Sequence, residues 1–380
     1  MSTATAPVSF LGEDLYVPTY KVMLVGQPLA SNVVHDITSV TYKDSIDQID
    51  SFEITISNWD DGGATYRDVK QRKYKYSDQD LFDPGKRIEL WMGYYGNNDR
   101  NMRKLLTGEI TSIRPAFPAS GQPTMVVGGL NILHTLRREP QSAAYVQKTD
   151  SEIASAIAKR LNVDFTPAPS ASAEERYAYL VQDNQLDIVF LMDRARRIGY
   201  DLFVEEPTVT GQKPRLHFQP SLTSRTPAYQ LNYGSTLIDF QPNLTTAKQV
   251  GEVTVRGWDA VHKQKIEETV TRKDLNLKVE QKIESSFNQR KEVLATVPIR
   301  TKEEAKQLAK QTLTNIAKDM IKGTGSTLGL PDLRSGNRVE LGGLGTRFSK
   351  TYFVTATTHS ISDSGYTTQF ECRMEEQGGG

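Results

Sequence analysis

Histidines, cysteines and carboxylates are the residues whose spacing would first betray chemistry. The five histidines, His35, His134, His217, His262 and His359, are scattered along 380 residues. None lies in an HExxH helix and Cys372 is the only cysteine, so spacing assembles no set of zinc ligands. His359 closes an alternating segment before a turn, where an imidazole serves as a structural hydrogen-bonding group. No GxxxxGK[ST] or GxSxG motif occurs, which removes a phosphate-cradling loop and a nucleophile elbow. Gly323-x-Gly325-x-x-x-Gly329 follows a helical stretch instead of opening one, so it cannot wrap a pyrophosphate and reads as a flexible connector. Hydrolysis of a sugar chain needs two carboxylates held across a cleft. The adjacent pairs Glu303-Glu304 and Glu375-Glu376 mark a helix start and a C-terminal tail, and no extra globular insert exists to build such a cleft. The expected catalytic, cofactor-binding and metal-ligating sets are therefore empty, and the chain is not expected to be an enzyme.

Contact chemistry is more promising. A long polar interruption runs from Trp59 to Lys86, opening at Asp60-Asp61-Gly62-Gly63 and closing at Asp83-Pro84-Gly85. It carries Trp59, Tyr66, Tyr74, Tyr76 and Phe82, more aromatics than a linker needs. Tyr and Trp are enriched at protein interfaces, which makes these five the candidate subunit or partner interface. The other reading packs them against their own module.

These residues must be positioned by the surrounding elements. Phe52-Glu-Ile-Thr-Ile-Ser57 alternates apolar and polar residues, the period of a half-buried strand. Segments 20–25, 87–92, 105–113 and 125–127 read likewise as strands. In the middle, Thr149-Asp-Ser-Glu152 is a capping box ahead of Ile153, Ile157 and Leu161 at helical spacing. A second helix over about 185–198 carries Ile188, Leu191, Ala195 and Ile198, with Gly199 at its C-terminus. Arg194, Arg196 and Arg197 beside Asp187 and Asp193 read as a solvated face of that helix. Strands resume at Val253-Thr-Val-Arg-Gly-Trp258. Thr301-Lys-Glu-Glu304 then starts a helix expected to end at Gly323, and strands over 352–358 and 367–374 follow.

Two hexapeptides nearly coincide: Gly85-Lys-Arg-Ile-Glu-Leu90 and Gly336-Asn-Arg-Val-Glu-Leu341. Each is a turn glycine leading into an alternating strand, with Arg87 and Glu89, or Arg338 and Glu340, on one face. Each is followed by a strand, a Ser-Gly turn (Ser120-Gly121, Ser364-Gly365) and another strand, which points to a duplicated β module. The expected class is α+β: two small tube-like β-barrel modules in pseudo-repeat, with a helical middle domain and a helix-bearing insertion. The expected bounds are 8–146 for the first module, 147–206 for the middle domain, 207–260 plus 325–376 for the second module, 261–324 for the insertion and 377–380 for a flexible tail.

Charge narrows the partners. Lys plus Arg and Asp plus Glu number 46 each, so the basic excess of a nucleic-acid binder is missing. Neutrality also removes self-repulsion between copies. Mean hydropathy is −0.49 and no apolar run reaches membrane length, so no span is expected. Residues 1–7 lack a basic cluster followed by an apolar stretch and do not read as a signal peptide. The lone cysteine suits a reducing compartment.

With these elements in place, the chain resembles the phage late control gene D family, the baseplate tail-hub proteins of contractile injection systems. The resemblance rests on Gly329-Leu-Pro331, Gly336 with Val339-Glu-Leu341, Tyr352-Phe-Val354, His359 and Gly365-Tyr366 through Phe370. Upstream it is carried by Phe190-Leu191 to Arg196, Gly199-Tyr200 and Arg256-Gly-Trp-Asp259, and near the front by Phe52, Pro84-Gly85 and Gly108-Glu-Ile110. Lys350 departs from the glycine that often precedes the family's Tyr-x-Val strand. The resemblance implies a structural homotrimer, a symmetry adaptor joining the hexameric inner tube to the trimeric spike around a central channel. Three chains with two modules each would form a ring of six. Implied partners are further copies of itself, the inner tube protein, a separate spike protein and other baseplate proteins, with no specific nucleic acid and no membrane span. The spike is expected on another chain because this one stops after the second module. Such a protein would be made in the bacterial cytoplasm and built into a phage-like particle. The rival readings are a monomeric tail-tip module that binds a receptor or carbohydrate, and a cell-wall hydrolase.

Overall fold

Alternation of apolar and polar residues gives the N-terminal segments one dry face each, and they pair as strands. The computed structural model describes residues 17–59, 74–95, 102–137, 139–166, 174, 176–207, 212–220, 229–259, 262–275, 281–296, 299 and 301–374. The first module comprises β1 (Pro18–Leu24), β2 (Gln27–Pro28), the short helix α1 (Ser31–Asp36), β3 (Ile37–Ser45), β4 (Ser51–Ser57), β5 (Arg87–Tyr94), β6 (Met102–Ala116) and β7 (Thr124–Asn131). In β4, Phe52, Ile54 and Ile56 are buried while Ser51, Glu53 and Thr55 are half-exposed, as the period requires.

The middle domain follows with β8 (Pro140–Tyr145), α2 (Asp150–Leu161), β9 (Asp164–Thr166), β10 (Leu180–Leu186), α3 (Asp187–Ile198), β11 (Tyr200–Glu205) and β12 (Arg215–Pro220). The capping box forms: Thr149 Oγ1 accepts from the Glu152 N–H at 3.2 Å, and the Glu152 carboxylate accepts from the Thr149 N–H at 3.3 Å. Gly199 ends α3 at φ +75°, a left-handed turn that costs a glycine little. Ile153, Ile157, Leu191 and Phe218 share one core that spans Leu133 to Phe218, so the domain is wider than 147–206. Arg194 is not solvated. It lies in this core, with Nε 2.6 Å from Asp150 Oδ1, because a buried guanidinium needs a paired carboxylate.

Next come β13 (Tyr229–Asn232), β14 (Leu237–Leu244), and a layer made of β15 (Glu252–Asp259), β16 (Gln264–Thr271), α4 (Gln281–Glu284), β17 (Lys291–Leu294) and α5 (Lys302–Lys318). β15 pairs with β16 and β17 and packs with α5, so the Arg256-Gly-Trp-Asp strand belongs to the insertion and not to the second module. Burial of Val253 and Val255 against Ala305, Ala309 and Leu313 decides this.

The chain then returns through β18 (Ile321–Leu328), β19 (Arg338–Gly342), α6 (Gly345–Phe348), β20 (Thr351–Ser362) and β21 (Gly365–Arg373). Gly323 and Gly325 sit inside β18; they neither cap α5 nor form a connector. A Cβ on Gly323 would stand 2.5 Å from the Phe240 ring and one on Gly325 2.7 Å from the Phe370 ring, so packed aromatics require both glycines.

Among the described strands neither module closes into a separate barrel. Thirteen strands form one sheet with the path β14-β18-β21-β20-β3-β4-β7-β6-β5-β1-β2, and β19 and β13 branch from β20. The modules fuse because the second half of β20 spends its open edge on β3, from Ala356 opposite Ser45 to Ser362 opposite Ser39.

Within that sheet the strand plan repeats. β3-β4-β7-β6-β5-β1 corresponds to β14-β18-β21-β20-β19-β13. Arg87 faces Glu109 as Arg338 faces Phe353, and Ile88 faces Gly108 as Val339 faces Tyr352. Two of the first module's three register slips repeat too, the one between Leu90 and Trp91 having no counterpart. Register slips between Ile37 and Ser39 and between Leu237 and Asp239, and again between Ile110 and Ser112 and between Val354 and Ala356. Gly85 (φ +94°) donates to the Ile110 carbonyl at 2.8 Å, and Gly336 (φ +82°) to that of Val354 at 2.9 Å. Two matching pairs of bulges and one matching pair of turn glycines argue for one plan used twice. The outermost strand differs, since β1 runs antiparallel to β5 and β13 parallel to β19.

Candidate functional site

The histidines do not converge. His217 Nε2 lies 2.6 Å from Glu205, and exposed His262 Nδ1 lies 2.7 Å from Asp259 Oδ2, each a local pair. Buried His359 donates from Nε2 to the Leu333 carbonyl at 3.1 Å, since a carbonyl can only accept. Its Nδ1 is then the acceptor for the Tyr366 hydroxyl at 3.0 Å or that of Thr368 at 3.1 Å. Burial, with Arg334 nearby, lowers its pKa to about 4, so it is neutral and ties the loop over 329–337 to β20. Among the described residues no group of three His, Cys, Asp or Glu side chains is placed to hold a metal ion.

That loop organises the densest polar cluster, at the junction of the two modules. Arg334 Nε donates to Asp44 at 2.7 Å and Nη2 to the Leu105 carbonyl at 3.1 Å, and Nη2 also bonds the Tyr42 hydroxyl. The guanidinium lies 4.7 Å from the Tyr42 ring centroid. Asp44 accepts further from the Ser335 N–H at 3.1 Å and from the Thr357 hydroxyl. Burial pushes Asp44 upward, but the Arg334 charge and the hydrogen bonds from Arg334 and Thr357 together hold the carboxyl below its ordinary range. Asp50 accepts from Asn131 Nδ2 at 2.8 Å and from the Tyr42 hydroxyl at 3.2 Å. Burial, reinforced by the Asp44 charge, raises Asp50 to about 7. From the middle domain Glu206 accepts from the Thr107 N–H and hydroxyl, each at 2.8 Å. Burial raises its pKa against the pull of Lys104. Tyr94 donates to the Gly329 carbonyl at 2.9 Å and Arg103 to Asp332 at 2.6 Å. Three domains thus lock around the 329–337 loop. Sequence reasoning missed this cluster, because Asp44 and Arg334 are 290 positions apart and no local pattern links them.

The aromatic candidates divide. Tyr76 and Phe82 are 2% and 1% exposed, in the first module's core with rings 5.8 Å apart, so these two take the packed alternative and cannot present themselves to a neighbour. Tyr76 reaches that position because its hydroxyl donates to Asp36 and its N–H to Asn58 Oδ1 at 2.9 Å. Trp59 is 37% exposed, and half-buried Tyr74 lies 4.7 Å ring to ring from Phe117 at the end of β6. Tyr66 lies outside the described residues. Of the repeat residues, Arg87 is exposed and Glu89 pairs with Lys104 at 3.0 Å. Glu340 is half-buried, whereas Arg338 is buried opposite Phe353 in β20.

The edges beside the junction differ between the modules. In β20 the half beyond the bulge pairs with β3. In β6 the matching half, Ser112 to Ala116, pairs with β7 alone among the described residues. Among the described residues β14, the counterpart of β3, pairs with β18 alone beyond an isolated bridge from Leu237 to Tyr233. The half of β6 from Ser112 to Ala116 and the outer edge of β14 are therefore both unpaired among the described residues, the latter at one end of the sheet.

The fold of this chain is shared with phage tail proteins. A 43 kDa tail protein of prophage MuSo2 from Shewanella oneidensis aligns with TM-score 0.69 at 13% identity, covering 93% of this chain and 98% of that one. A tail protein from Neisseria meningitidis MC58 aligns at 0.68 and 14%, covering 95% and 97%. An E. coli component of the type VI secretion system, described as structurally similar to the T4 bacteriophage tail proteins gp27 and gp5, aligns at 0.59 and 12%, covering 95% and 78%. A search of curated protein sequences returns no match. By sequence, the chain belongs to the family described as the Alg8 N-terminal domain, whose model matches residues 14–363.

Proposed function

We propose that the chain is a structural hub of a contractile, phage-tail-like injection system, of the late control gene D type. Three copies would close into a ring of six comparable modules around a channel, joining a hexameric inner tube on one side to a trimeric spike on the other. The observation that carries this reading is the module repeat together with the edges of β14 and of half of β6 that are unpaired among the described residues. A chain that offers two different edges that fit each other associates head to tail, and such association closes when the rotation divides a full turn. The fold shared with tail proteins and with a type VI secretion component supports the assignment. Mechanism on this reading is symmetry matching and transmission of force through the junction locked by Arg334, without turnover. With Tyr76 and Phe82 buried, Trp59, Tyr66 and Tyr74 remain the candidates for contact with neighbouring proteins.

Light scattering on the purified chain tests the stoichiometry. The expected mass is three times that of the 42.5 kDa chain. Electron microscopy of the assembled particle should then show three copies around the axis. A monomer in solution together with a single copy per particle would favour a tail-tip binding module instead.

A further inference from the structure

The repeat makes it possible to ask what should occupy the bare half of β6. Matching register and bulges align Ser112 to Ala116 with Ala356 to Ser360, and align Ser39 to Ser45 of β3 with Asp239 to Thr245 around β14. Inside the chain, the β20 segment is covered by β3 in a fixed antiparallel register, with Ile361 opposite Val40 and both buried. Transferring that register places Phe117 opposite Phe240, Ile113 opposite Leu244 and Ala116 opposite Gln241. Within one chain six strands of the sheet separate β14 from β6, so a second copy is the natural source of the occupant.

We infer that β14 of a second copy of this chain adds antiparallel to the bare half of β6, with Phe117 facing Phe240 of the partner subunit. Three independent features meet in that register. The side chains alternate correctly: Ile113 packs on the first module's core, Phe240 and Leu244 pack on the second's, and exposed Arg114 and Ala116 would meet exposed Asn243 and Gln241. Phe117 is 56% exposed at the position whose counterpart, Ile361, is 6% exposed, as expected of a residue waiting for a cross-strand neighbour. The prolines coincide as well. Pro115 and Pro242 cannot donate to a ladder and so belong on edges; this register sets them opposite each other, confining the lost hydrogen bonds to one rung. A slipped register would spoil two rungs and turn apolar side chains outward. The prolines therefore weaken promiscuous pairing while leaving one register usable. This is strand addition between copies, and both cores would continue across the contact as they do inside the chain.

The inference rests on the ring reading above, and cysteine cross-linking separates the two. Ala116→Cys and Gln241→Cys are both exposed positions, and the native Cys372 is buried. Mixing the two single variants of the full chain under mild oxidation should give a covalent dimer, with no dimer from either alone. The double variant should give a ladder that stops at the ring size. Ala116→Cys with Asn243→Cys, two residues out of register, should cross-link at least tenfold more slowly. Circular dichroism of each variant checks folding, and Phe117→Cys with Phe240→Cys provides a second in-register pair. If the wild-type chain is multimeric by light scattering but neither in-register pair cross-links, or the shifted pair cross-links equally, this edge contact is wrong while the ring survives. A monomeric wild-type chain overturns both.

Discussion

The two modules follow one backbone plan with different side chains, and the exchanges compensate in volume. In the first, Phe52 on β4 lies over Gly129 on β7. In the second, β18, the counterpart of β4, supplies Gly323 and Gly325, and the rings come from Phe240 on β14 and Phe370 on β21. Close packing needs the space filled once and tolerates either strand filling it. The edges are not interchangeable. Where β20 meets β3 the junction holds a buried charge cluster, whereas the matching surface of β6 and β14 carries Phe117, Phe240 and opposed prolines. A permanent contact inside one chain can bury Asp44 with Arg334. A contact between chains starts from exposed surfaces and is better made from groups that are cheap to hydrate singly.

Removing the charge that belongs to only one module should have the largest effect. Arg334→Ala leaves Asp44 buried without its partner and should cost about 3–5 kcal/mol in urea unfolding. A loss below about 1 kcal/mol would mean the junction does not depend on that pair. Next, equivalent apolar residues should respond unequally in the isolated chain. Ile361→Ala, 6% exposed, should cost about 2–5 kcal/mol, and Phe117→Ala, 56% exposed, about 0.5 kcal/mol or less. Equal losses would erase the distinction between the filled and the bare edge.

Asp50 gives a pH signature confined to the junction. Its folded pKa of about 7 lies above the ordinary carboxyl value, so the folded form retains a proton that the unfolded chain releases. Stability should therefore fall as pH rises from about 4 to about 7. Asp50→Asn should remove that decline, gaining more than about 1 kcal/mol on wild type at pH 7 relative to pH 4. Parallel melting curves for the two proteins would contradict it. The smallest effect should be shared: Gly85→Ala and Gly336→Ala both strain a left-handed turn and should each cost about 1 kcal/mol. A difference of several-fold would show that the two turns do not do the same work.

Much of the fold was legible wherever its causes are local. The capping box at Thr149, the Gly199 terminus and the alternation in β4 depend on neighbours within four residues or on a period of two, and all stand as read. The paired hexapeptides exposed the repeat because a turn glycine and an amphipathic strand leave a mark in sequence. The rest of the repeat left none, since Phe52 corresponds to a glycine and Val127 to Phe370, and compensation in volume erases identity. The aromatic loop could not be divided between core and surface by composition, because Tyr76 and Trp59 differ only in what folds over them.

Sequence alone thus determined the local elements, the module repeat and the absence of any patterned catalytic motif. Tertiary structure decided that β15 joins the insertion, that Arg194 is buried, and that β20 pairs with β3 more than 300 positions away. Pairings at that distance are selected by which apolar faces and charges can be buried together. That selection is a property of the whole packed sheet and of no segment by itself.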